Sequence, residues 1–165
     1  MKRAKRVLFA YMIILLCIGA DQLTKQIVRV DMPKTKSIVL ITGVLKLDYA
    51  DNRGGVFAFE LLLPRKWRGK TVSGAAALLL GLCILFLTGS ERLPFLCFSG
   101  IALFCGGSLS NLIDRVAFGR VIDFVNFSAP GLQPYIFNLA DVAIATGITL
   151  ALLSVVIQLL RMVLL

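Results

Sequence analysis

Two aspartates sit where an apolar chain tolerates them least. Asp123 lies in Val121-Ile122-Asp123-Phe124, and Asp141 ends Phe137-Asn138-Leu139-Ala140-Asp141 at the head of a long apolar run. A carboxylate beside hydrocarbon is costly, and those that persist handle ions or protons or take part in catalysis. The chain has no histidine, which excludes Ser-His-Asp and Cys-His arrangements and His-ligated metal sites. Its four cysteines, Cys17, Cys83, Cys97 and Cys105, form no close metal-type pair and all fall in apolar runs, where a thiol packs as a small apolar group. Acid and base work is left to carboxylates. Two of them held close together do not both ionise easily, so one keeps a proton; the charged member can then draw a proton from water while the neutral one donates to a carbonyl.

Further polar residues gather around this pair. Asn111, Asp114 and Arg115 stand at i, i+3 and i+4, on one side of a helix, and Asn138 and Asp141 share the i, i+3 relation. Each has a plain structural explanation. Asp114 beside Arg115 reads most simply as an ion pair closing a helix end, Asn138 as an N-cap, and Asp141 as a favourable charge in a first helical turn. Their concentration at one face of the membrane that these runs would cross is what points to a site.

The elements that must position these residues are membrane helices. Hydrophobic residues make up 58% of the 165, charged ones only 16%, and mean hydropathy is +0.88, well outside the soluble range. Thr71 to Thr88, Leu93 to Ile113 and Val142 to Leu160 carry no charge and approach or reach the length that crosses hydrocarbon. A first, shorter run, Val7 to Ala20, continues as a helical apolar pattern through Leu23, Ile27 and Val28, past Asp21. The expectation is an α-helical integral membrane protein of one domain over residues 1–165. Its helices fall at about 7–28, 71–88, 93–113 and 139–162, with an extramembrane β region at about 31–64 and a loop at about 116–136. In the second helix Gly74, Ala75, Ala76, Ala77 and Gly81 suit close helix packing.

Met1 to Ala20 also has the outline of a secretory signal peptide, but no small-x-small site follows it, so retention is expected. Lys2, Arg3, Lys5 and Arg6 then hold the N-terminus in the cytoplasm, and four spans return the C-terminus there. The segment from Gln22 to Lys70 opposes this orientation, because it carries ten of the eighteen basic residues; long loops follow the charge rule weakly. Within it Leu45, Leu47 and Tyr49 alternate with Lys46, Asp48 and Ala50, and Ser37 to Ile41 is β-branched, so a small sheet on the membrane surface is expected, turning at Asn52-Arg53-Gly54-Gly55. Trp67, among Arg65, Lys66, Arg68 and Lys70, reads as an interfacial anchor.

In order and spacing, Asp21-Gln22-Leu23-Thr24-Lys25, Asn52-Arg53-Gly54-Gly55-Val56-Phe57, Gly106 to Arg115, Val121 to Phe124 and Phe137 to Asp141 resemble the signature segments of the lipoprotein signal peptidase family, signal peptidase II. The resemblance spans nearly the whole chain. Two departures are visible: Ser110 precedes Asn111 where the family usually has glycine, and Gly55 and Val56 stand where it has alanines. The resemblance implies a bacterial inner-membrane aspartyl endopeptidase that needs no metal or organic cofactor and has no nucleic-acid partner. It implies four helices and a small periplasmic β-sheet platform, prolipoproteins with a diacylglyceryl-modified cysteine as substrates in contact with membrane lipids, and inhibition by globomycin. It also implies Asp123 and Asp141 as the catalytic pair near the periplasmic face, with Asn52, Gly54, Asn111, Asp114, Arg115, Asn138, Asp21 and Lys25 in binding or support. A proton-coupled carrier would need ionisable groups spread across the membrane, whereas the spans proper are free of charge. A noncatalytic assembly factor would tolerate Asp-to-Asn changes.

Overall fold

Apolar runs without charge have no water to bond their peptide groups in lipid, and they close those bonds internally as helices. The computed structural model describes residues 3–33, 37–52, 65–90, 93–129, 131 and 133–164, with backbone alone over 65–72. Its helices are α1 (Arg3–Asp31), α2 (Arg65–Gly89), α3 (Phe95–Phe118) and α4 (Leu139–Leu164). Among the described residues α1, α3 and α4 are long and apolar enough to cross a membrane, and α2 carries a shorter apolar stretch, Ser73–Gly89. Leu15, Leu16, Leu85, Leu152 and Met162 lie exposed on the outside of the helices while Asp21, Lys25, Asp114 and Asn138 are fully buried. That inversion of the soluble pattern suits a surface facing hydrocarbon.

α1 runs beyond both ends of the expected first helix. Asp21 does not interrupt it because Lys25, one turn on, neutralises it at 2.6 Å. At the N-terminal end Arg3 donates to the Thr88 carbonyl at 3.1 and 3.2 Å, and Arg6 donates to the Leu93 carbonyl while lying over the Phe98 ring. The two arginines tie α1 to the α2–α3 connection.

The closest helix approach is not where the small residues of α2 suggest. Gly74 and Gly81 face open space. The intimate contacts are made by α3: a Cβ on Gly147 of α4 would stand 2.5 Å from the Gly100 carbonyl oxygen and 2.6 Å from the Phe104 nitrogen, and one on Gly106 would stand 2.7 Å from Cys17 Cβ of α1. With little hydrophobic drive between helices in lipid, backbone approach of this kind is what holds them together. α3 then stops at Gly119, whose φ of 68° lets its N–H return to the Arg115 carbonyl.

Four antiparallel strands, in the order β1 (Ile38–Ile41), β2 (Leu45–Asn52), β3 (Val121–Phe127) and β4 (Tyr135–Phe137), form a sheet at one end of the helices. The β1–β2 hairpin turns at Gly43, with φ 75°; the turn expected over Asn52–Gly55 begins at the end of β2 and otherwise lies outside the described residues. The segment expected as a plain loop after α3 supplies β3 and β4, so Asp123 is a strand residue. Ile122 and Phe124 dock the sheet on Val28 of α1 and Met32 just beyond its end. The side chain of Trp67 lies outside the described residues.

Candidate active site

Each aspartate is placed by a different element. In β3 alternate side chains face opposite ways, and Val121 and Asp123 share the face taken by Ala50 and Asn52 of the neighbouring strand. Asp141 stands in the first turn of α4. β4 leads directly into that helix through Asn138, which bridges the two. Asn138 Nδ2 donates to Asp123 Oδ1 at 2.6 Å, Asn138 Oδ1 accepts from the Asp141 N–H at 2.9 Å, and Asp141 Oδ2 accepts from the Asn138 N–H at 3.2 Å. The last two bonds are a reciprocal capping box, with aspartate in the place of the usual glutamate. Asn138 is thus the expected N-cap and also the link between the carboxylates.

The remaining oxygens are also occupied. Asp123 Oδ2 accepts from Asn52 Nδ2 at 3.0 Å, and Asp141 Oδ1 accepts from Asn111 Nδ2 at 2.9 Å. Burial pushes the Asp123 carboxyl above its ordinary value; the Asn52 donor works against this, the neighbouring Asp141 charge adds to it, and Asn138 and Lys25 oppose it.

Behind Asn111 lies a buried ionic cluster. Lys25 is wholly buried, and its ammonium meets Asn111 Oδ1 at 2.8 Å, Asp21 Oδ2 at 2.6 Å and Asp114 Oδ2 at 2.8 Å. The ammonium thus makes one hydrogen bond, to Asn111, and two ion pairs. One cation faces two carboxylates, and neutral donors balance the excess. Gln22 Nε2 donates to Asp114 Oδ1 at 3.1 Å, Ser110 Oγ donates to Asp21 Oδ2 at 2.7 Å, and the Ala140 N–H at the start of α4 donates to Asp21 Oδ1 at 2.9 Å.

Asp114 is therefore not the partner of Arg115, as adjacency in sequence suggests. On a helix, neighbours in sequence diverge by about 100°, and Asp114 turns inward to Lys25 while Arg115 is only half-buried and has no ion pair among the described residues. Asp123, Asp141, Asn52, Asn111 and Asn138 come together, and Asp21, Lys25 and Asp114 form the layer behind them. Gly54 lies outside the described residues. Gln22 and Ser110 escaped the sequence reading as site residues. The usable signal was the i, i+4 pair Asp21 and Lys25 within an apolar helix, which demands further polar partners. Ser110, a departure from the family glycine, is built into the cluster through its hydroxyl. A separate groove of about 470 Å³, lined by Leu82, Phe86, Ile101 and Phe104 among others, is wholly apolar and contains none of these residues.

Two carboxylates are thus bridged by one amide at the end of the apolar helices. The sequence profile of signal peptidase (SPase) II matches residues 13–157, and the chain belongs to that family. It is 35% identical over 150 residues to the lipoprotein signal peptidase of Oleidesulfovibrio alaskensis, covering 91% of this chain and 96% of the relative. To that of Clostridioides difficile it is 36% identical over 136 residues, covering 82% and 86%. Two solved bacterial membrane enzymes share the fold. One, determined by the in meso method at 1.9 Å resolution, superposes with a TM-score of 0.78 at 25% identity over 89% of this chain and 92% of its own. The other, at 2.3 Å, superposes with 0.75 at 26% identity over 93% and 88%.

Proposed function

We propose that this peptidase removes signal peptides from bacterial prolipoproteins, cutting before a cysteine that carries diacylglycerol, with Asp123 and Asp141 as the water-activating pair. The observation that carries the reading is Asn138, bonded to both carboxylates in a chain whose curated relatives are named lipoprotein signal peptidases. The pair holds one proton, and burial of Asp123 favours keeping it. The charged carboxylate takes a proton from water as the water attacks the scissile carbonyl, while the protonated one donates to the carbonyl oxygen; the roles then reverse as the amine leaves. Because the pair titrates as a unit, the proton belongs to the pair and is not assigned to one residue. Asn52, Gly54, Asn111, Arg115 and Asn138 surround the substrate, whose lipid chains and apolar helix stay in the bilayer.

Purified protein is expected to cleave a diacylglyceryl-modified prolipoprotein and to leave the same precursor uncut when its cysteine is unmodified. Globomycin should block the reaction. Equal cleavage of both precursors, followed by gel shift, would remove the lipid requirement.

The orientation belongs to the same proposal: a multi-pass protein of the bacterial inner membrane, with both termini cytoplasmic and the sheet and carboxylates at the periplasmic face. Arg3 and Arg6 hold the α2–α3 connection at the N-terminal end of α1, which by the positive-inside tendency is the cytoplasmic end. With native cysteines replaced, a cysteine at Ser128 is expected to react with an impermeant maleimide in intact spheroplasts, and one at Ser90 only after the membrane is opened. The opposite pattern would invert the topology.

A further inference from the structure

The register of the sheet gives it one apolar face. Directly opposed residues of antiparallel strands share a face, so Ile41, Leu45, Phe127 and Tyr135 form one row across all four strands. Ile38, Leu47, Val125 and Phe137 form the next. Alternate residues of β3 carry the same face on to Asp123, and a β-bulge at Asp48 and Tyr49, opposite Phe124, leaves Ala50 and Asn52 beside it. The row on the opposite face is Val39, Lys46, Asn126 and Ile136. Its centre is polar: Lys46 Nζ meets Asp48 Oδ2 at 2.8 Å, and Asn126 Nδ2 donates to the same oxygen at 2.6 Å.

The apolar face is open. Ile38, Ile41, Phe127 and Tyr135 are 48%, 54%, 42% and 64% exposed, and all four residues of the edge strand β1 are exposed and apolar. β3 makes the main contacts of the sheet with the helices, so β1 and the outer row overhang the bundle. Contiguous exposed apolar side chains of this kind mark a contact surface.

Three observations identify what covers it. The surface is continuous with the lipid-facing side of the helices, because β4 runs through Asn138 directly into α4, where Leu139 and Val142 are exposed. Its rim is aromatic, with Tyr135 stacked on Phe137 at 5.8 Å and Phe127 opposite Tyr135, as at a boundary between membrane and water. β1 is apolar on both sides, yet no strand pairs with its outer edge among the described residues. Such an edge finds its hydrogen bonds among headgroups and water and has no place in hydrocarbon.

We propose that the two apolar rows are a lipid-docking surface, which seats the sheet on the bilayer at headgroup level and so fixes the height of Asp123 above the acyl chains. By strand spacing Asp123 stands roughly 7 Å from the row of Val125 and roughly 13 Å from the row of Phe127. Water reaches the carboxylate there, while a substrate anchored by its own lipid meets it at the surface. The inference rests on the proposed membrane placement and not on the catalytic roles.

Trp67 is the one tryptophan of the chain, so Trp67→Phe supplies a background without indole emission. Ile41→Trp, Phe127→Trp and Tyr135→Trp are placed in it singly, in the full-length protein reconstituted in phosphatidylcholine nanodiscs. The lipid is plain, brominated near the glycerol or brominated near the chain ends. Leu23→Trp, at an exposed position of α1, is the lipid-facing reference, and Lys46→Trp, on the opposite face of the sheet, is the control. Each of the three sheet variants is expected to lose as much emission to the shallow bromine as Leu23→Trp does, and less to the deep one. Lys46→Trp should keep most of its emission. Ile41→Glu combined with Tyr135→Glu should relieve the quenching of Phe127→Trp, since charge is disfavoured on a surface that faces lipid.

Quenching of the three no stronger than that of Lys46→Trp overturns the inference. So does cross-linking between copies through a cysteine at Leu40, which would place a second copy on β1. Emission lost only when a brominated prolipoprotein is added would assign the face to substrate and overturn it as well. The full quenching pattern in a protein that cleaves no prolipoprotein would refute the proposed reaction and leave the lipid surface standing. Quenching together with reversed labelling at Ser128 and Ser90 would also leave it standing, and would invert the orientation.

Discussion

Asp123→Asn and Asp141→Asn are each expected to lower kcat by at least about 10³-fold, since a positioned acid or base contributes on the order of 10² to 10⁴ and either change removes one half of a shared task. The two variants should differ in stability. Asp123 accepts from two side-chain amides, Asn52 Nδ2 and Asn138 Nδ2; the Asn52 amide can flip and offer its oxygen to the new NH₂. Asp141 accepts from the Asn138 backbone N–H, which cannot flip, and from Asn111 Nδ2, whose own oxygen is held by Lys25. Asn at 141 therefore leaves two donors face to face and is expected to cost about 1–3 kcal/mol.

Asp123 has the opposite balance. Its folded value is raised, so its contribution to stability is full below the ordinary aspartate range and is lost as pH rises through the folded value. A permanently neutral side chain avoids that loss, and Asp123→Asn is expected to melt no lower than wild type at neutral pH while being inactive. Melting curves and kcat on the same preparations decide the matter. Turnover near the wild-type rate in either folded variant would end the dyad assignment.

Lys25→Met should be the most damaging change outside the pair. It removes the cation between Asp21 and Asp114 and leaves two buried carboxylates facing each other, and breaking one buried pair already costs about 3–5 kcal/mol. Asn111 loses its cationic donor at the same time, so its hold on Asp141 loosens. The expected result is a lower melting temperature together with a drop in kcat in whatever fraction folds. Asp114→Asn keeps an oxygen for Lys25 and should lose stability but retain measurable turnover at saturating substrate. Wild-type melting and kcat in Lys25→Met would show that the cluster is ornamental.

Much of this architecture is legible in the sequence because its signals are local. The charge-free runs announce the helices, and Asn138 with Asp141 announces the cap of α4. What escaped depends on distant partners or on breaks in periodicity. Leu45, Leu47 and Tyr49 read as one face of a strand, and the bulge at Asp48 and Tyr49 is invisible until β3 is laid beside it. β3 and β4 are short and apolar, with turn signals that resemble a loop. Adjacency pairs Asp114 with Arg115, although its partner Lys25 comes from a helix nearly ninety residues earlier in the chain. The glycines that decide helix contact are those of α3 and α4, not the denser group in α2, because residue size permits an approach without choosing the partner.

Asp21 bonds the backbone of Ala140, 119 residues downstream, and this has a bearing on biogenesis. While the chain is being made, α1 enters the membrane long before α3 and α4 exist. Its two charges can do so because they already lie one turn apart and cancel each other at 2.6 Å, a self-contained pair that later accepts Asn111 and Asp114. The first turn of α4 finds its partners only when the final quarter of the polypeptide has emerged. On the proposed catalytic roles, a nascent chain ending before Ala140 lacks Asp141 and its cap with Asn138, so proteolytic competence arrives late in synthesis, after the other three helices are in the bilayer.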